Sequence, residues 1–237
     1  MSSKPKLKID WCSHEAAKYA VEKWHYSGTL PVPPIVRIGV WEDDKYIGCV
    51  LFSRGASTNL LKPYGLTNTE GCELTRIALS SHKTPVSKIA KIAIKMLTKQ
   101  NKGLRLIVSY ADPMEGHSGG IYQAGNWVYT GTSSQDRAYI DRNGKRYHSR
   151  VIAEHGSGYR KQFGVMRKCM SSKGMTKIIT PGKHRYLMPL DDEIRKRIEP
   201  LRKPYPKKCV TSIENDAPAN HAGEGGVIPT VTLQNTL

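Results

Sequence analysis

The part of this chain that most restricts its fold runs from residue 104 to residue 130. An apolar run over 104–108 ends in Ser109-Tyr110-Ala111-Asp112. Gly116-His117-Ser118-Gly119-Gly120 follows, then a short helical stretch through Tyr122-Gln123-Ala124-Gly125, then a second strand over 127–130. A strand, a glycine-rich connection, a helix and a strand in that order form an α/β unit. Open α/β sheets build sites at the carboxyl ends of their strands, and here that end carries polar groups.

The rest of the chain supplies elements around this unit. Ser13 can N-cap a helix over 13–24 whose Ala16, Ala17, Ala20, Val21 and Trp24 share a face. Pro31-Val32-Pro33-Pro34 breaks the chain. Apolar residues then alternate at Val36, Ile38 and Val40 and again at Ile47, Cys49 and Leu51, with Asp43-Asp44-Lys45 between them, the pattern of a β-hairpin. After a loop over 53–69, residues 73–79 read as a strand, and Pro85 precedes a helix over 87–100. That helix buries Ile89, Ala90, Ala93, Met96 and Leu97 and presents Lys88, Lys91, Lys95 and Lys99 as a solvated face. Beyond residue 131 the expected elements are a hairpin over 138–148 around Asn143-Gly144 and a polar, partly helical stretch over 148–168. Short strands over 176–180 and 184–188 around Pro181-Gly182 and a short helix over 191–201 complete them.

Charge speaks to partners. The 237 residues carry 37 Lys+Arg against 20 Asp+Glu, a formal net charge of +17. Residues 137–208 hold 20 of these bases against 6 acids, whereas no Lys or Arg follows Lys208. A concentrated excess of this kind favours a polyanion, nucleic acid first; the plainer reading is charge used for solubility alone. The expected organisation is a core over 1–136, a basic extension over 137–208 packed on it and binding DNA, and a disordered tail over 209–237. Five scattered cysteines with no Cys-x-x-Cys pair are neither a disulfide framework nor a zinc ribbon, and fit a reducing cytosol. No apolar run reaches the length of a membrane span, and the basic residues 1–8 lack the apolar core of a signal peptide. The oligomeric state, a homodimer included, stays open.

The element order resembles the GCN5-related N-acyltransferase fold. That resemblance implies an α/β fold, a mixed sheet flanked by helices and splayed between its fourth strand (73–79) and fifth strand (104–110), with an acyl donor in the gap. It also implies a phosphate-binding turn after strand four. Ser81-His82-Lys83-Thr84-Pro85-Val86-Ser87 stands there without a glycine, so Lys83 and Ser87 at the helix start are the expected donor contacts.

A more specific resemblance covers residues 24–205. His25-Tyr26, Glu73-Leu74-Thr75-Arg76, Pro85-Val86-Ser87, Ser109-Tyr110-Ala111-Asp112, Gly116-His117 and Ile121-Tyr122-Gln123-Ala124-Gly125-Asn126-Trp127 occur in the order of the Mom family of bacteriophage DNA-modification proteins, which the chain resembles. The resemblance implies an enzyme of the host bacterial cytoplasm that places a carbamoylmethyl group on adenine N6 in double-stranded DNA and so blocks restriction. It assigns activity to His25, Tyr26, Arg76, Asp112 and Tyr122, with Ser109 beside them. It also implies a possible iron site, for which His25, Tyr26, Asp112 and Tyr122 are the ligands on offer.

The chemistry is consistent with those residue types. The N6 lone pair is delocalised into the ring, so Asp112 is the expected base and Tyr122 the expected proton donor, while Arg76 clamps an anion. The target lies inside the base stack and must be flipped out. Acetyl-CoA alone would attach N6 to a carbonyl carbon. The carbamoylmethyl product joins it through a methylene and adds a nitrogen, so a glycine-derived donor is the alternative. Arg137, Arg142, Lys145, Arg146, Arg160, Lys161, Lys183 and Arg185 are the expected phosphate contacts. Plainer roles compete throughout: Asp112 as a turn cap, Tyr122 as a core tyrosine, His25 at a helix end. Two other functions remain open, a non-catalytic DNA-binding protein on the same fold and a protein N-acetyltransferase.

Overall fold

The computed structural model describes residues 4–55, 57–153, 158–162 and 165–207. An edge strand that no periodicity announced, β1 (Leu7–Trp11), opens the fold, and α1 (His14–Trp24) follows it. Ser13 caps α1 as expected, its Oγ accepting from the Ala16 N–H at 3.1 Å. Ala17, Ala20 and Val21 bury that helix on Cys49, Leu51 and Ala78.

The alternating segments form the antiparallel pair β2 (Ile35–Glu42) and β3 (Lys45–Ser53), and β3 pairs with β4 (Gly71–Leu79). On the opposite face lies α2 (Val86–Gln100), whose Ile89, Ala93 and Leu97 pack against Val50, Phe52 and Ile107. Full burial of each large aliphatic side chain there contributes about 1.5–3 kcal/mol. The four lysines of its other face are exposed, as their spacing predicts.

The strand of the opening motif is β5 (Leu106–Ala111), followed by the single turn α3 (Gly120–Gln123) and by β6 (Val128–Thr132). β4 and β5 run parallel but pair only from Gly71 opposite Leu106 to Leu74 opposite Ser109. Beyond that point β4 continues to Leu79 and β5 to Ala111 without a ladder between them. A bulge explains the parting. Arg76 lies opposite Leu51 and Leu74 opposite Phe52, so Thr75 is an extra residue, its Oγ1 donating to the Leu51 carbonyl at 3.1 Å. A bulge bends its strand, and this one sits where β4 leaves β5. The sheet therefore opens into a fork between its fourth and fifth strands, the hallmark of the acyltransferase-like fold.

The chain after β6 corrects the expectation of an extension laid on a finished core. It forms β7 (Asp136–Ile140), β8 (Arg146–His148), β9 (Ile152–Ala153), β10 (Tyr159–Gln162), β11 (Val165–Lys168), β12 (Met170–Ser171) and β13 (Thr176–Thr180) in small sheets of their own. It then returns as β14 (His184–Pro189), which enters the large sheet between β5 and β6. Tyr186 and Leu187 of β14 are fully buried, which is why the slot between those strands cannot stay empty. The expected hairpin over 138–148 is present as β7 and β8. The strands over 176–180 and 184–188 do not pair with each other: β13 pairs with β7, and β14 with β5 and β6. Within 148–168 the described residues hold strands and one 3-10 turn, Ser149–Val151, where partial helix was expected. The expected tail over 209–237 lies outside the described residues.

α4 (Asp192–Ile198) closes the second face, burying Ile194 and Ile198 on Leu106, Val108 and Leu187. Arg105, just before β5, ties it down with two bonds to Asp191 at 2.8 and 3.2 Å and one to Glu193 at 2.6 Å. Among the described residues no helix is long and apolar enough to cross a membrane.

Candidate active site

The fork brings four segments together. His25 and Tyr26 leave the carboxyl end of α1, Arg76 rises from β4 just past the bulge, Asp112 ends β5, and Tyr122 comes from α3. Ser109 sits at the crotch. It is fully buried, and its Oγ lies 2.8 Å from the Leu74 carbonyl and 2.7 Å from the Tyr122 hydroxyl. A carbonyl only accepts, so the one Ser109 proton goes to Leu74 and the Tyr122 O–H donates to Ser109. Burial lifts the Tyr122 phenol to about 12, so Tyr122 is protonated at neutral pH and is an acid rather than a base.

The loop that carries Tyr122 is held from β14. Gly119 has φ +84°, and a Cβ there would lie 2.3 Å from the Tyr186 ring, so only glycine fits. The Tyr186 hydroxyl donates to the Ser118 carbonyl at 2.5 Å, and its ring centroid is 5.0 Å from that of Tyr122.

Asp112 does more than end a strand. Its Oδ1 accepts from the Met114 N–H at 3.0 Å, the turn-cap role considered from the sequence. Its Oδ2 lies 3.0 Å from Lys183 Nζ and 3.7 Å from Arg146 Nη2. Arg146 is also bonded to Glu115. Two cations of the basic segment thus converge on a carboxylate that is 7% exposed.

His25 and Tyr26 stack with ring centroids 4.3 Å apart, and His117 continues the stack at 5.8 Å from Tyr26. The His25 Nδ1 accepts from the Ser27 N–H at 3.1 Å, so the ring proton resides on Nε2. Desolvation, then the positive fields of Arg76, His117 and Lys183, depress the His25 pKa to about 3, and the ring is neutral. Desolvation, joined by the negative charge of Asp112, raises the Tyr26 phenol, although half of the Tyr26 side chain faces solvent. The Arg76 guanidinium donates from Nη1 to its neighbour's carbonyl, that of Thr75, at 2.7 Å, and its buried Nε has no hydrogen-bond partner. An orphaned guanidinium N–H costs free energy until an acceptor arrives.

Other expected contacts fall elsewhere. Lys83 and Ser87 stand at the amino end of α2, where the Lys83 N–H is already bonded to Glu42 Oε2 at 2.8 Å. Arg137, Arg142 and Lys145 are exposed on β7 and the turn after it, and Lys145 Nζ lies 5.4 Å over the Tyr147 ring. Arg185 spends its Nε on Thr130 Oγ1 at 2.9 Å. The side chains of Arg160 and Lys161 lie outside the described part of the chain. The four residues named for iron do not compose a ligand set: Asp112 Oδ2 is paired with Lys183, and the Tyr122 hydroxyl is bonded to Ser109. Among the described residues no group of three His, Cys, Asp or Glu side chains could hold a metal.

The sequence reading gave no role to His117, Glu115 or Glu42. His117 carried a local signal in Gly116-His117; Glu42 carried none, because its partners lie more than forty residues away.

A profile described as the Mom protein family matches residues 6–207. The chain belongs to the Mom family. The match spans every residue of the fork, and no curated protein matches this Mom-family chain. Solved structures similar to it include an N-acyl amino acid synthase from uncultured soil microbes, at 8% identity and TM-score 0.44 over 81% of this chain and 94% of that one. An IAA acetyltransferase from Bacillus cereus ATCC 14579 shares 16% identity at TM-score 0.42 over 78% of this chain and 100% of that one. A Bacillus subtilis acetyltransferase in complex with CoA shares 13% at TM-score 0.39 over 79% and 100%. Likenesses this distant carry no argument about substrate.

Proposed function

We propose that this Mom-family protein transfers a small group to N6 of adenine in double-stranded DNA, leaving a carbamoylmethyl substituent that protects the DNA from restriction. The observation that carries the reading is the convergence of His25, Tyr26, Arg76, Asp112 and Tyr122 on the mouth of one fork, with Lys183 and Arg146 of the basic segment at the same place. A flipped adenine stacks against the exposed Tyr26 ring, which is prolonged by His25 and His117. Asp112 receives the N6 proton. Tyr122, protonated and positioned by Ser109, turns its O–H from that oxygen to the departing part of the donor and supplies the proton. Arg76 takes the donor's anionic group on its free Nε–H. Arg137, Arg142 and Lys145 hold phosphates along the duplex.

The test is direct. The protein is expressed in a bacterial host, and plasmid DNA is digested to nucleosides and weighed by mass spectrometry. A deoxyadenosine heavier by a carbamoylmethyl unit is the expected product. Only unmodified deoxyadenosine, from soluble protein that binds DNA, would overturn the reading in favour of a DNA-binding protein.

A further inference from the structure

Helix α2 leaves the end of β4, one lip of the fork, so its amino terminus is where a phosphorylated donor would be expected to rest its charge. The turn that leads into that terminus is already occupied from within. Glu42, at the end of β2 and 8% exposed, accepts from the Lys83 N–H at 2.8 Å through Oε2. Its Oε1 accepts from the Thr84 N–H at 2.8 Å and from the Thr84 hydroxyl at 2.6 Å. Thr84 is itself buried at 5% exposure. The next residue, Pro85, has no N–H to offer. Two backbone donors of the turn are therefore spent, a third does not exist, and a fixed negative charge stands among them.

We infer that Glu42 is an internal counterpart of a donor pyrophosphate and closes the amino end of α2 to one. A second anion brought beside the carboxylate would meet like-charge repulsion, stronger at the lower dielectric of a partly buried turn than in water. It would also find the Lys83 and Thr84 amides of the turn already taken. The residues after strand four thus do not fit the diphosphate of coenzyme A in the way the fold suggests. Whatever donor enters the fork is held without a phosphate contact on this turn. Glu42 is a specificity-determining residue that acts by exclusion, and this rests on the reading of the fork as the donor site.

Binding assays on the full chain without DNA test the inference, by isothermal titration of coenzyme A and of pantetheine, which lacks the phosphates. The wild-type protein is expected to show no preference between them, or to bind neither. A wild-type preference for coenzyme A of tenfold or more overturns the inference, whatever any variant does. Glu42→Gln keeps the shape and removes the charge; Glu42→Ala also frees the amides. Either variant, if folded by circular dichroism, is expected to gain coenzyme A affinity over pantetheine by tenfold or more. A folded variant with no such gain shows that Glu42 is not what closes the turn. The assay reads donor binding alone, so its failure is distinct from failure of the adenine reading, which nucleoside masses decide.

Discussion

The Ser109 hydroxyl donates to the Leu74 carbonyl at 2.8 Å across the point where β4 and β5 part. A carbonyl freed by the end of a parallel ladder would otherwise be buried without a partner. The same Ser109 oxygen receives the Tyr122 O–H, so the residue that finishes the sheet also positions the proposed acid.

Ser109→Ala therefore leaves two polar groups unsatisfied and is expected to cost about 1–3 kcal/mol. Thermal denaturation reads this as a fall of roughly 2–4 °C per kcal/mol in a chain of this size. Tyr122→Phe leaves Ser109 its bond to Leu74, and should cost about 1 kcal/mol or less while abolishing most adenine modification. A Tyr122→Phe protein that modifies DNA as well as wild type would remove Tyr122 from the chemistry.

Asp112 can be separated into its two roles. Asp112→Asn preserves an acceptor for the Met114 N–H and loses the charge that faces Lys183 and Arg146. Modified nucleoside is expected to drop by at least about 100-fold, the scale of a lost general base, with little loss of folding. Asp112→Ala should lose a further ~1 kcal/mol of stability through the missing cap. Equal activity in Asn and wild type would reduce Asp112 to a cap.

The His25 ring is expected to remain neutral from about pH 5 to 8, with the proton on Nε2. Long-range proton–nitrogen NMR correlations would show one fixed tautomer across that range. The unfolded chain binds this proton more readily, so the associated stability is complete above the ordinary value of 6.5 and is lost as the pH falls towards about 3. An imidazole that titrates near 6.5 contradicts the electrostatics described for the fork.

Glu42 gives a second pH signature. Burial alone would raise its carboxyl, but the bonds from the Thr84 side chain and from the Lys83 and Thr84 amides outweigh burial and hold it below the usual range. An acid with a depressed folded pKa contributes stability above its unfolded value, and the contribution disappears as pH falls through the folded one. Urea unfolding between about pH 5 and pH 3 should show that loss, since a free Glu titrates near ~4.3. The loss should be absent in Glu42→Gln; identical pH profiles for the two proteins would deny the carboxylate this role.

For DNA binding, Arg142→Ala with Lys145→Ala is the informative pair, because both residues are exposed at the turn after β7. Affinity should fall for all sequences alike, and the slope of log K against log salt should flatten by about 0.9 per lost phosphate contact. Fluorescence anisotropy over a salt series measures it. Arg146 and Arg185 suit this test less well, since each is bonded within the protein.

What could be read from the sequence was local. Ser13 announced α1, the alternation from Val36 to Leu51 announced β2 and β3, and the polar end of β5 marked the candidate site, because caps, periods and turns act over a few residues. The candidate site residues His25, Tyr26, Arg76, Asp112 and Tyr122 were named from ordered motifs, but nothing in the motifs states that a bulge at Thr75 opens the fork between them. Tertiary structure alone decided that β14 would enter the sheet and hold Tyr122 through Tyr186. It also decided that Glu42 would meet Thr84 across 42 positions, and Ser109 the Leu74 carbonyl across 35. Such pairings depend on which buried polar groups remain unsatisfied once the sheet has closed, and that count exists only in the folded chain.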